Sequence, residues 1–134
     1  MLDLVEHYLQ GPIPLKDVAK RQDISEKYLW QVINPLKAAG LIIPIRGAHG
    51  GYVLARKPQE ISVRDIICVL EGPLTLVDCM DKKRRCRRIP DCMAHDMWME
   101  IGDKLDQAMR DINLADIVER HHARRQSDPS NYSI

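Results

Sequence analysis

Cys79, Cys86, Cys92 and His95 stand in one short run, CMDKKRRCRRIPDCMAH (79–95), with the spacing C-x6-C-x5-C-x2-H. Lys82, Lys83, Arg84, Arg85, Arg87 and Arg88 share it. Thiolate sulfur and imidazole nitrogen are soft or borderline donors, suited to zinc or to the iron of an iron–sulfur cluster. Cys92 and His95 are three apart at the expected start of a long helix, so they share one face. The positive end of that helix adds stabilisation to an anionic site. Charge favours a cluster here. A diferric 2Fe–2S core held by three thiolates and a neutral imidazole keeps a single net negative charge, which a basic loop accommodates.

Three plainer chemistries fit the same residues. A basic run commonly serves as a solvated face or a phosphate contact. Exposed thiols can close a reversible disulfide switch. A structural zinc site with three cysteines and one histidine is also allowed, in a regulator or in an RNA-binding finger of similar spacing. The fourth cysteine, Cys68 in IICVL, falls on an apolar helix and reads as core packing.

The periodicity on either side of the loop predicts the elements that hold it. MLDLVEHYL reads as a helix with Met1, Val5, Tyr8 and Leu9 on one face, ended by GPIP. PLKDVAKRQ reads as a second helix with Leu15, Val18 and Ala19 inward. Ser25 is the expected N-cap of a third, EKYLWQVINPLKAAG, stopped at Gly40 and kinked at Pro35. Leu41–Ile45 and Tyr52–Leu54 then flank a turn containing Gly47, Gly50 and Gly51, a hairpin signal. Three helices followed by a hairpin is the order of a winged helix-turn-helix. The expected fold is therefore mainly α, with a winged helix-turn-helix region over 1–60 and a β-hairpin wing. Residues 61–120 supply a linker helix capped by Ser62, the cysteine loop and a long C-terminal dimerisation helix. The polar tail 121–134 is expected to be disordered.

Two surfaces follow from this order. In a helix-turn-helix the second helix enters the major groove and its N-terminal residues meet base edges. Here it presents Ser25, Lys27, Tyr28, Trp30 and Gln31. Lys27 suits a phosphate, Gln31 an adenine, and Ser25 a donor to either. The wing residues Arg46 and His49, beside glycines, suit a minor groove. Tyr28 and Trp30 also read, less specifically, as core. On the long helix, Met97, Trp98, Ile101, Leu105, Ala108 and Ile112 form an apolar stripe too wide for the end of a small monomer, so a homodimer is expected.

The totals bound these readings. The chain has 134 residues, 45% hydrophobic and 29% charged, enough for one modest core. It lacks an apolar run of about 20 residues and a secretory signature, so a cytoplasmic protein without a membrane span is expected. In a reducing compartment, clustered cysteines point to metal or redox chemistry. The net charge of +1 is uneven, with +4 over 79–95 and −3 over 96–134. No nucleophile–base pairing, phosphate loop or cofactor motif appears, so neither an enzyme nor a small-molecule substrate is expected.

Three stretches resemble one family, the IscR-type iron–sulfur winged helix-turn-helix transcriptional regulators that include IscR and NsrR. They are MLDLVEHYLQGPIPLKDVAKRQDISEKYLWQVINPLKAAGLI, RGAHGGYVLARKPQEISVRDII and CRRIPDCMAHDMWMEIGDKLDQAMRDINLADIV. The resemblance spans nearly all of 1–120. It implies a dimer on a double-stranded DNA operator, repression controlled by a cluster, and a response to cluster supply or to oxidative or nitrosative stress. Its three cysteine ligands map onto Cys79, Cys86 and Cys92. In the IscR branch a histidine three residues after the third cysteine completes a 2Fe–2S site, and His95 stands there. The nitric-oxide-sensing branch typically lacks it and can hold 4Fe–4S, so the resemblance favours 2Fe–2S.

The chain departs from the family pattern in three respects. The first cysteine gap is one residue longer than usual. Trp30 replaces an acidic residue common in the recognition helix, which implies an altered operator preference. Residues that usually precede the position of Met1 contribute to the first helix and the DNA contact, so a weaker contact or dimer is expected.

Overall fold

The computed structural model describes residues 1–84 and 86–127. Its order is α1 (Leu2–Glu6), α2 (Leu15–Gln22), α3 (Glu26–Ala38), β1 (Ile42–Ile45), β2 (Gly51–Leu54), α4 (Val63–Glu71), α5 (Met93–Asp111) and α6 (Leu114–Ser127). Single 3-10 turns lie at Tyr8–Gln10, Pro58–Glu60, Asp78–Met80 and Ile89–Asp91.

Local chemistry explains most boundaries. Ser25 Oγ accepts the Tyr28 N–H at 3.1 Å, satisfying one of the free donors at the start of α3. The helix continues through Pro35 and ends in two backbone hydrogen bonds. The Gly40 N–H donates to the Lys37 carbonyl and the Leu41 N–H to the Leu36 carbonyl, both at 3.0 Å. Gly40 adopts φ +70 to allow this, a conformation that costs a side-chain-bearing residue free energy. Ser62 and Asp65 cap α4 reciprocally: Ser62 Oγ accepts the Asp65 N–H, and Asp65 Oδ2 accepts the Ser62 N–H.

β1 and β2 pair antiparallel, with Ile42 opposite Leu54 and Pro44 opposite Tyr52. Alternation sends Ile42, Tyr52 and Leu54 to the core. Ile13 extends the ladder, exchanging both backbone bonds with Tyr52. Gly51 permits that approach, because a Cβ there would collide with the Ile13 backbone. Leu29, Ile33 and Leu36 of α3 meet Leu15, Val18 and Ala19 of α2, as periodicity predicts. Leu41, Ile42 and Ile61 complete the core, and Leu114 returns from the far side of α5 to join it. Each large side chain so buried contributes about 1.5–3 kcal/mol.

Four expectations are corrected. The first helix stops at Glu6, and the following turn tightens to three residues per turn. Leu4 rather than Tyr8 and Leu9 therefore faces the core, and Leu9 is 94% exposed. Cys68 is half-buried, since α4 packs through only part of its circumference. Ile112 lies past the end of α5 in extended backbone, where its carbonyl accepts the Val63 N–H at 2.8 Å, so it leaves the helical stripe. The last helix runs to Ser127, well into the tail expected to lack order. Helix-favouring Ala123, Arg124, Arg125 and Gln126 sustain it. Residues 128–134, the rest of that expectation, lie outside the described residues, as does Arg85.

Candidate nucleic-acid interface and cysteine loop

α2 and α3 are joined by a tight turn. Asp23 takes the left-handed conformation at φ 52 and the Ile24 N–H returns to the Ala19 carbonyl. This turn sets the two helices in a helix-turn-helix, and burial of Leu29, Ile33 and Leu36 aims the opposite face of α3 outward. Ser25, Lys27, Tyr28, Trp30 and Gln31 are all exposed. Ser25 Oγ is already the helix cap, which leaves its hydroxyl proton as the group able to reach a ligand. Asn34 is exposed on the same strip and was missed from sequence. Its spacing, three from Gln31 and seven from Lys27, is the signal that could have found it. Arg46 and His49 are exposed in the β1–β2 turn.

α1 is tied to the turn by a buried carboxylate. Asp3 accepts from Arg21 Nε at 3.0 Å, from the Arg21 terminal nitrogen at 2.6 Å and from Gln22 Nε2 at 3.1 Å. The Arg21 hydrogen bonds hold its carboxyl below the ordinary range, against the opposing effect of burial. Arg21 is correspondingly raised by Asp3.

The cysteine loop is built from local turns. The N–H groups of Met80, Asp81, Arg84, Asp91 and Cys92 each return to a carbonyl three residues earlier. Cys92 is the N-cap residue of α5, and its carbonyl accepts from the His95 N–H at 3.1 Å and from the Asp96 N–H at 3.3 Å. His95 Nδ1 meets Cys79 Sγ at 3.4 Å across sixteen positions of chain. Two of the four candidate ligands therefore converge. Among the described residues no three His, Cys, Asp or Glu side chains group closely enough to hold a metal ion. Cys86 is exposed and Cys92 half-buried, and among the described residues no disulfide joins two cysteines. The donor set still fits a soft or borderline metal in chemistry and chain order, with Cys79 and His95 already in contact.

α5 is anchored at two points and otherwise open. The terminal methyl of Met80 packs where a Cβ on Gly102 would stand. Asp106 accepts from Arg64 of α4 and from Arg110 at 2.7 Å. These bonds, Arg110 first and then Arg64, lower the Asp106 pKa. Of the α5 residues only Gly102 is buried. Met97, Ile101, Leu105 and Ala108 are exposed and Trp98 is half-buried.

A helix-turn-helix with a two-stranded wing and an outward polar face on its second helix defines a winged helix-turn-helix DNA-binding regulator. Residues 1–120 match the Rrf2 family of iron-dependent transcriptional regulators, and the chain belongs to that family. It is 33% identical over 131 residues to the HTH-type transcriptional regulator IscR of Aliivibrio salmonicida, covering 98% of this chain and 77% of that protein. Among solved structures, IscR of T. potens aligns with a TM-score of 0.77 at 35% identity, covering 98% of this chain and 87% of that one. CymR, described as the global cysteine regulator of B. subtilis, aligns with a TM-score of 0.73 at 35% identity, over 89% and 87%. The protein is a DNA-binding transcriptional regulator, not an enzyme. Among the described residues no helix is long and apolar enough to cross a membrane.

Proposed function

We propose that this chain is a dimeric, operator-binding repressor whose DNA affinity is set by a 2Fe–2S cluster held by Cys79, Cys86, Cys92 and His95. The observation that carries the reading is the Cys79–His95 contact, which joins the first and last of these residues at the start of α5. When bound, the cluster supplies a redox-active and labile group whose loss or oxidation registers supply or stress. Cys92 and His95 tether it to the first turn of α5, and the cationic side chains of 82–88 offset its negative charge. His95 makes the site less anionic than a fourth thiolate would, favouring a higher reduction potential and easier loss.

At the other end of the molecule, Lys27 and Arg46 neutralise phosphates or enter a groove, while Gln31 and Asn34 read base edges. Tyr28 and His49 flank that surface. The exposed apolar face of α5, with Met97, Ile101 and Leu105 at its centre, packs against a second copy. The second reading is a thiol-based switch or a structural zinc site in the same loop, and the exposure of Cys86 favours the former.

Anaerobically purified protein distinguishes these readings. A cluster gives broad visible absorbance with bound iron, and Cys92→Ala abolishes both. Zinc or free thiols give a colourless protein, which would reject the cluster. His95→Ala that leaves spectrum and cluster lifetime unchanged would place the fourth ligand elsewhere.

A further inference from the structure

Trp30 lies on the outward strip of α3 between Lys27 and Gln31, and 47% of it is exposed. Leu29, Ile33 and Leu36 bury α3 against the core, so packing alone does not require an indole here. Nor is the ring loose. It meets Tyr52 edge to face, with centroids 6.4 Å apart and planes at 80°. Tyr52 is buried in β2, and its backbone is bonded to Ile13 in both directions at 2.9 and 3.0 Å. An indole held this way loses little further freedom when a second surface covers it.

A major groove offers such a plate one apolar feature. The rest of the base edges are hydrogen-bond donors, acceptors or bare C–H groups, whereas thymine alone presents a C5-methyl. The geometry points to Trp30 as a specificity-determining residue that selects a thymine in the operator by packing its indole on that methyl group. The inference rests on α3 being the DNA-reading helix. Lys27 and Gln31 border the ring on the same strip, so a phosphate and an adjacent base are within the reach of one helical turn.

The test uses the full chain and a duplex selected from random sequence. Each thymine is replaced in turn by deoxyuridine, which deletes the methyl and keeps every hydrogen-bonding group. At one thymine position, wild-type binding weakens about fourfold, the worth of one buried methyl. Trp30→Ala binds the two duplexes equally, and Trp30→Phe, which keeps an edge against Tyr52, retains part of the discrimination. Equal uracil sensitivity in wild type and Trp30→Ala at every position overturns the inference. So does a Trp30-dependent loss with 7-deazapurines in place of uracil, which would assign the indole N–H to a purine N7. A wild type that selects no preferred duplex overturns the reading of α3 itself, and the inference with it.

Discussion

In the DNA-reading region, residues far apart in sequence close one core. Ile42 and Ile61 are almost wholly buried, and Leu114 reaches them from beyond α5. Asp3 binds Arg21 and Gln22 across the same region and braces α1 against the helix-turn-helix. The region from 73 to 111 is put together differently. Its loop rests on short-range turns, Lys82, Lys83, Arg84, Arg87 and Arg88 are exposed, and α5 buries only a glycine. The first region is finished within one chain. The second carries apolar surface and metal-ligand chemistry that a second copy and a bound group would complete. On the proposed function, marginal local stability of that kind would suit a sensing part, and a packed reading head would hold base-contacting side chains in place.

The sharpest contrast is reached by attacking each region at its centre. Leu36→Ala, in the closed core, should destabilise the fold by about 2–5 kcal/mol in denaturant unfolding, because neighbours cannot collapse fully into the space. Leu105→Glu, on the open face, should leave the subunit's unfolding nearly unchanged yet convert the dimer to monomers at micromolar concentration in light scattering. If Leu105→Glu unfolds the chain or leaves a dimer, the open face has been misassigned.

Asp3→Asn probes the bracing of α1. It should cost about 1–3 kcal/mol at neutral pH by leaving the Arg21 and Gln22 donors poorly matched. Because Arg21 holds the Asp3 pKa down, the wild-type contribution is present above the ordinary carboxylate range. It is lost progressively as pH falls from the ordinary carboxylate value of about 4 down through the lowered pKa of folded Asp3. The difference between wild type and Asp3→Asn should therefore shrink in acid, read from melting curves at several pH values. A difference independent of pH would remove charge from the explanation. The smallest effect is expected at the cap. Ser25→Ala should cost about 1 kcal/mol through the loss of the Tyr28 N–H acceptor, and a larger loss in DNA affinity than in stability would show that the hydroxyl also meets the duplex.

Much of this was legible in the chain before any coordinates. Apolar spacing on α2 and α3, the Ser25 cap, the Gly40 stop and the glycine-rich turn are local signals, and each describes the structure closely. The ligand candidates were legible by residue type and order. Their mutual placement was not, since only the fold brings His95 to Cys79, while Cys86 remains exposed. The first helix was misread because an apolar stripe carries no sign of where α-helical winding tightens. Asn34 was overlooked because a polar residue deep in a helix resembles any solvated side chain.

Sequence alone determined the order of the elements, the outward face of α3 and the donor set of the loop, because periodicity, capping and ligand chemistry act over a few residues. Only the tertiary structure decided that Asp3 braces Arg21, that Trp30 leans on Tyr52, that Asp106 ties α5 to α4 and that Leu114 belongs to the reading head's core. Those contacts join residues distant along the chain, and their partners are chosen by how the packed elements meet in space.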